Sequence, residues 1–219
     1  MSGVDELTPV AQDYLKVIWS ATEWGDPPIT TKGLAARLGT SQANVSDTVK
    51  RLAAQGLVTY ESYRPVRLTE RGALLAVAMV RRHRLIEAFL VGVLGYGWDE
   101  VHDEAEALEH AASEKLIDRI DALLGHPRAD PHGDPIPAAD GTLRRPPAVR
   151  LSDASGRRRV IRVSDADPDV LARCQALGMV PGAEVDAEIA PAELAAAVWV
   201  EGRPAGRDSP ADPRVAVAE

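Results

Sequence analysis

Apolar residues recur at Val10/Ala11, Tyr14/Leu15 and Val17/Ile18, three to four apart, the spacing of one helix face. Thr8-Pro9 precedes them as a capping residue with proline at the first helical position, and Gly25-Asp26-Pro27-Pro28 closes the run. A short helix is predicted over about 31–38 with Leu34, Ala35 and Leu38 inside, then a turn at Gly39. A second helix follows over about 41–55 with Val45, Val49 and Leu52 inside, stopped at Gly56. Residues 57–60 and 66–68 read as two short strands around a loop that holds Arg64 and Pro65.

From Glu70 the period returns to that of a helix, and Leu85/Ile86, Phe89/Leu90 and Val93/Leu94 form a wide apolar stripe suited to a partner helix. Gly95 to Gly97 breaks it, and helix resumes over about 99–124 with an interruption near Ser113. Residues 126–148 are rich in proline, glycine and aspartate, so a linker or tethered loop is expected there, with His126 and His132 solvated. Beyond it come short β-like runs at 149–151, 159–163, 184–189 and 197–200, the pattern of a small barrel. The predicted fold is mainly α: a winged helix-turn-helix over 1–72, a helical domain over 73–140, and a small all-β barrel over 147–219.

The composition fits such a chain. Its 219 residues are 45% apolar, ample for a core, and the single cysteine, Cys174, excludes an internal disulfide and reads as a buried small hydrophobe. The four tryptophans are scattered and read as packing residues. MSGVDELTP has neither a basic start nor an apolar h-region, and no run of apolar residues could span a bilayer, so a cytoplasmic protein with no membrane partner is expected. The net charge of -8 conceals an asymmetry: residues 31–90 carry ten bases against four acids, leaving -14 for the remainder. A basic segment in an acidic protein is the footprint of a polyanion partner, or else a solvated helix surface.

The spacing Ala35, Gly39, Val45 favours the polyanion, since a small residue, a turn glycine and a packing valine build a helix-turn-helix. The second helix offers Ser41, Gln42, Asn44, Ser46 and Thr48 to base edges and phosphates, and Lys50 and Arg51 to backbone charge. Arg64 and Arg67 lie on the wing.

A second chemistry lies further on. In VHDEAEALEH, His102 and Glu106 are four apart, Glu106 and Glu109 three, and Glu106 and His110 four, so all share one side of a helix. His83 and Glu87 on the preceding helix are also four apart. One Glu/His pair is an ordinary surface contact; two pairs on consecutive helices, with an extra Glu-His, point to a metal site of the imidazole-carboxylate type.

The order of Asp13-Tyr14, the winged helix, MVRRHRLIEAFL, VHDEAEALEH and HPRADPHGDPIP resembles the diphtheria toxin repressor family of metal-activated transcription factors. DPDVLARCQALGMVPGAEV is similar to that family's SH3-like third domain. The resemblance implies a primary metal site of Asp13, Glu106, Glu109 and His110, and a second site of His83, Glu87 and His102 with third-domain ligands in the region of Asp167 and Asp169. Iron-responsive members carry methionine and cysteine where this chain has Asp13 and Glu106, whereas carboxylates mark the manganese-responsive branch. Lys16 departs from the two-domain members of that branch, which carry a glutamate ligand there. Three carboxylates and one imidazole make a hard site, which also suits Mn²⁺ on chemical grounds.

These readings predict a homodimeric, Mn²⁺-activated repressor of metal-homeostasis genes that binds double-stranded operator DNA, takes no small organic substrate and is not an enzyme. Fe²⁺ is the alternative metal, with Co²⁺ and Zn²⁺ as surrogates. A carboxylate-bridged di-metal enzyme is the rival from another class, but it would spread its ligands over four helices and would leave the winged helix without a role.

Overall fold

The computed structural model describes residues 3–61, 64–98 and 100–202. These form two compact units, one built from residues 3–81 with 137–142, the other from 82–136 with 143–202. No helix among the described residues is long and apolar enough to cross a membrane.

The first unit follows the predicted pattern. Helix α1 (Pro9–Glu23) is capped by Thr8, whose hydroxyl accepts from the Ala11 N–H at 3.3 Å. It buries Ala11, Tyr14, Leu15 and Ile18. Helix α2 (Thr31–Arg37) and helix α3 (Gln42–Ala54) are joined through Gly39, whose φ of 59° is the left-handed geometry the tight turn needs. Leu34, Val45 and Val49 are fully enclosed and share a core with Leu15, Leu57 and Met79. Each such side chain contributes roughly 1.5–3 kcal/mol by leaving water. Strands β1 (Val58–Thr59) and β2 (Arg67–Leu68) pair antiparallel as the wing, with Val58 opposite Leu68.

Helix α4 (Glu70–Phe89) runs from the first unit into the second. A π-helical turn at Leu90–Leu94 ends on Gly95, left-handed at φ 76°. Helix α5 (Val101–Glu109) and helix α6 (Glu114–Leu123) are separate, as the interruption near Ser113 predicts; the Ser113 hydroxyl caps α6 by accepting from Leu116 N–H. Leu85, Ile86, Leu90, Val101, Ala105, Ile117, Ile120 and Ile136 form their common core.

The C-terminal part is a four-stranded antiparallel sheet in the order β3-β6-β4-β5, from β3 (Ala148–Arg150), β4 (Arg157–Val163), β5 (Glu184–Asp186) and β6 (Val198–Glu201). Helix α7 (Pro168–Ala176) and the short α8 (Ala192–Ala195) close over it. Cys174 is buried in this core, and burial pushes its thiol up, in keeping with a packing role. Residues 203–219 of the predicted third domain lie outside the described residues.

The proline-rich stretch departs from expectation. Residues 132–137 are buried rather than solvated. Two buried arginines bind this loop: Arg84 donates to the Pro135 carbonyl at 2.7 Å and lies 3.5 Å from both Asp130 and Asp134, while Arg162 Nε donates to Asp134 Oδ1 at 2.6 Å. The Val163 N–H donates to the His132 carbonyl at 2.9 Å, tying the loop to β4. Composition alone marked a tether; long-range hydrogen bonds from two guanidinium groups make it part of the packed interior.

Candidate functional site

The histidines and carboxylates that could hold a metal ion fall into three groups among the described residues. On α5 and its C-cap, Glu106, Glu109 and His110 each offer a ligand atom within 4.8 Å of one another, with Glu106 three residues from Glu109 and four from His110. Glu109 is fully buried, and its backbone carbonyl accepts from Arg82 Nη1 at 3.2 Å. The Arg82 guanidinium also binds the Glu114 carboxylate, so Arg82 ties α4 to the start of α6. Asp13, half-buried on α1, lies in the first unit on the wall of an open depression of about 720 Å³ lined also by Tyr14, Asn44 and Arg51. Lys16 is buried on the same helix.

The second group is His83, Glu87 and His102. Glu87 Oε1 lies 3.1 Å from His83 Nε2 and 3.5 Å from His102 Nδ1. Burial opposes the charge on Glu87, but the imidazoles of His83, His102 and His132 outweigh it and hold the carboxyl well below the usual range. The contact with Glu87 raises His102 against the effect of its own burial. His102 Nε2 also faces Glu106 Oε1 at 3.7 Å, and His83 Nδ1 faces Glu109 Oε2 at 2.6 Å, so this group is wired to the α5 group.

The third group, Glu87, Asp130 and His132, did not come out of the sequence reading. His132 was expected in solvent; it is 0% exposed, with its ring edge-to-face on Trp98 at 5.2 Å between centroids. Its Nδ1 is 3.8 Å from Glu87 Oε2. Neither ring nitrogen has a hydrogen-bond partner among the described residues. Asp130 is buried, and burial, reinforced by Asp134 and Glu87, pushes its carboxyl well up. The third-domain carboxylate that reaches the histidines is Asp165, whose Oδ2 is 3.8 Å from His102 Nδ1. Asp167 instead caps α7, accepting from the Asp169 and Val170 N–H groups, and Asp169 is exposed in the first turn of that helix. The one sequence signal for Asp130 and His132 was the Asp-Pro-His-Gly-Asp run itself, a rigid loop dense in ligand-type side chains.

The basic face is narrower than the charge count suggested. Arg81, Arg82 and Arg84 are buried, leaving Lys32, Arg37, Lys50, Arg51, Arg64, Arg67 and Arg71 exposed in the segment 31–90. On α3, Ser41 is the helix cap, its hydroxyl accepting from Asn44 N–H, and the Ser46 hydroxyl donates to the Gln42 carbonyl. Gln42 and Asn44 are exposed beside them. Thr48, expected to face outward, is buried, since it stands three residues from Val45 and four from Leu52 and so falls on the core stripe. Its hydroxyl accepts from Arg51 Nη2 at 2.9 Å, which orients that guanidinium.

Two family models match the chain in the order of these elements. Residues 6–66 match the iron dependent repressor N-terminal DNA binding domain, and residues 69–138 match the iron dependent repressor metal binding and dimerisation domain. The chain belongs to the iron-dependent repressor family, and is a metal-responsive DNA-binding transcriptional repressor. The iron-dependent repressor IdeR of Mycobacterium tuberculosis (strain ATCC 25618 / H37Rv) is 35% identical over 202 residues, covering 86% of this chain and 87% of its own length. The diphtheria toxin repressor of Corynebacterium jeikeium (strain K411) is 31% identical, over 90% of this chain and 98% of its own length. Among solved structures, a manganese-dependent transcriptional repressor in complex with manganese is 46% identical, superposes with a TM-score of 0.80, and covers 87% of this chain and 99% of its own. The manganese regulator SloR is 28% identical with a TM-score of 0.74, covering 90% and 100% respectively.

Proposed function

We propose that this repressor is activated by Mn²⁺ and binds double-stranded operator DNA of metal-homeostasis genes as a homodimer. The observation that carries the choice of metal is the donor set of α5. Glu106, Glu109 and His110 offer carboxylate and imidazole with no sulfur, and Cys174 is enclosed in the core of the C-terminal sheet. Such oxygen-rich sites suit Mn²⁺, with selection left to geometry and metal availability because affinity alone favours Cu²⁺ and Zn²⁺. The manganese complex with 46% identity supports the same choice. Fe²⁺ remains the alternative, since curated relatives bear the name of iron-dependent repressors.

Asp13 is the proposed fourth ligand. It stands on the helix that supports the DNA-binding core, while its co-ligands stand on α5. A cation held there by Asp13, Glu106, Glu109 and His110 would supply positive charge to those donors. Asp13 and the α5 residues would then link α1 to α5, favouring the form that binds operator. The cation acts only through its tighter binding to that arrangement. His83, Glu87 and His102 form the second site, and the contacts of His83 and His102 with Glu109 and Glu106 let its occupancy steady the first.

On DNA, Gln42 and Asn44 at the exposed start of α3 are placed to meet base edges, with Ser41 and Ser46 flanking them. Lys50, Arg51, Arg64 and Arg67 neutralise phosphates, and Thr48 serves by orienting Arg51. Dimerisation uses the apolar side chains left outside the core of the second unit: Leu116 and Leu123, seven apart on one face of α6, with Leu108, Val93 and Leu94. The work is regulatory, with no substrate turned over, and belongs in the cytoplasm beside the DNA.

The test is operator binding at buffered free concentrations of Mn²⁺, Fe²⁺, Co²⁺ and Zn²⁺, with a chelator control. Mn²⁺-dependent protection, lost in Glu109→Gln and His110→Ala variants that remain dimeric, is expected. Equal protection with chelator and with Mn²⁺ overturns the reading.

A further inference from the structure

Helix α3 turns one stripe inward and another to solvent. Val45, Thr48, Val49 and Leu52 are buried, whereas Ala43, Asn44, Asp47, Lys50 and Arg51 are exposed. Asp47 stands in the middle of the exposed stripe, its side chain 78% exposed, and it is the single acid of α3. An acid is unfavourable on a surface that neutralises phosphates, because it is repelled by the charge that attracts Lys50 and Arg51. Stability of the free protein does not account for it. Asp47 is the sixth residue of the helix, beyond the first turn in which the helix dipole favours an acid. Its ion pair with Lys50, at 3.7 Å between two exposed side chains, is of the kind that contributes little.

The hydrogen bonds around Asp47 provide the independent observation. Asn44 Nδ2 donates to Thr40 Oγ1 at 3.1 Å, and the Ser46 hydroxyl donates to the Gln42 carbonyl at 2.9 Å. The Ser46 proton and one amide proton of Asn44 are thus used within the protein, which leaves Asn44 Oδ1, the Ser46 lone pairs and the Asp47 oxygens as acceptors. From Asn44 to Asp47, α3 therefore presents mainly acceptors. In the major groove the base donors are cytosine N4 and adenine N6. Guanine and thymine turn acceptors toward the helix and repel a carboxylate. Adenine sets its N7 lone pair beside N6, where the second Asp47 oxygen would meet it, whereas cytosine has a C–H group beside N4.

We propose that Asp47 is a specificity-determining residue of the operator interface, accepting a hydrogen bond from the N4 amino group of a cytosine in the major groove. The proposal rests on the reading of α3 as the helix that meets base edges, and assigns one base pair within it. Lys50 releases Asp47 when it moves to a phosphate, so the carboxylate enters the groove with both oxygens open to the base. A carboxylate is repelled by every position that lacks an amino donor. Asp47 therefore works against the wrong sequence as well as for the right one. The competing role is a purely solvating charge on an exposed helix face, which carries no dependence on base identity.

The experiment uses the full chain loaded with Mn²⁺ and a library of double-stranded DNA with a randomised central segment. Bound duplexes are selected at fixed salt and sequenced. Affinities for the enriched duplex and its single-pair variants are then measured for wild type, Asp47→Ala and Asp47→Asn. The wild type should enrich a C·G pair at one position of each half-site, and replacing that pair should cost about tenfold or more in affinity. Asp47→Ala should lose the preference at that position alone and bind unrelated DNA more tightly than wild type. Asp47→Asn keeps an acceptor and gains a donor, so its preference should move toward adenine, whose N6 and N7 an amide matches. An unchanged cytosine preference in Asp47→Ala overturns the proposal. An equal loss of affinity for every duplex overturns it too, since Asp47 would then support the helix rather than read a base. A wild-type site with no fixed C·G pair overturns it and leaves operator binding standing. No enriched sequence at all with Mn²⁺ would overturn the functional reading beneath it.

Discussion

His83 Nδ1 lies 2.6 Å from Glu109 Oε2, so a histidine of one ligand set is hydrogen-bonded to a carboxylate of the other. When Nε2 is used toward Glu87 and a cation, the proton must sit on Nδ1, which then donates to Glu109. That bond fixes one oxygen of Glu109 and leaves Oε1 facing His110, 4.0 Å away. His83→Gln should therefore weaken Mn²⁺ at both centres, by about 10–100-fold at the second site and measurably at the first. Calorimetric titration of His83→Gln, Glu109→Gln and the double variant checks this. Strictly additive losses would show that the bond carries no coupling.

Glu106→Cys should alter metal choice rather than abolish activation. Glu106 lies within one turn of His102, Glu109 and His110, and a thiolate there is softer and offers one donor atom. Activation by Mn²⁺ should fall more than activation by Co²⁺ or Fe²⁺. The ratio of half-activating Mn²⁺ to Co²⁺ in anaerobic operator titrations is the readout, and an unchanged ratio would remove Glu106 from the site that sets selectivity.

Lys50→Ala and Arg51→Ala should weaken binding to all DNA sequences and lower the salt slope by about one per lost phosphate contact. Both side chains are exposed, and Arg51 is aimed by Thr48. Thr48→Val, which removes only the hydroxyl, should reproduce part of the Arg51 effect. Altered base preference at constant salt slope would instead make Lys50 or Arg51 a reader of bases.

Metal binding should be proton-coupled. Burial, with Asp134 and Glu87 adding to it, holds Asp130 above the ordinary carboxyl range, and the Glu87 carboxylate raises His102 above the ordinary histidine value of 6.5. Both groups keep protons that a cation must displace, whereas Glu87, held low, is already ionised. Mn²⁺ affinity should fall as the pH drops through the raised His102 range. The loss is about tenfold per pH unit for each proton displaced. Calorimetry in buffers of different ionisation heat counts those protons, and a pH-independent affinity would contradict the assignment.

Gly133→Ala should damage the site without touching a ligand. Gly133 has φ of 92°, and an added Cβ would lie 2.0 Å from the Ile161 carbonyl oxygen. Strain and displacement together should cost about 2–4 kcal/mol. Denaturant unfolding measures the loss, and a stability within about 0.5 kcal/mol of wild type would mean that the loop and β4 separate easily.

What the sequence determined by itself is whatever local spacing controls. Thr8-Pro9, Gly39 and Ser113 set helix ends because caps and left-handed turns depend on neighbouring residues. His83 with Glu87, and Glu106 with Glu109 and His110, share faces because a helix turns every 3.6 residues. Tertiary structure alone decided the rest. The same periodicity could not tell that Thr48 lies on the buried side of its helix, nor that Arg82 and Arg84 would be spent inside the protein instead of on DNA. His132 and Asp165 belong to a loop and to the turn after β4, segments with no periodicity; His132 approaches Glu87 where the Arg84 and Arg162 guanidinium groups and the Val163 N–H hold the proline-rich loop inward. Contacts between residues far apart in the chain leave no regular spacing to read, and so the third ligand group became visible only in the folded protein.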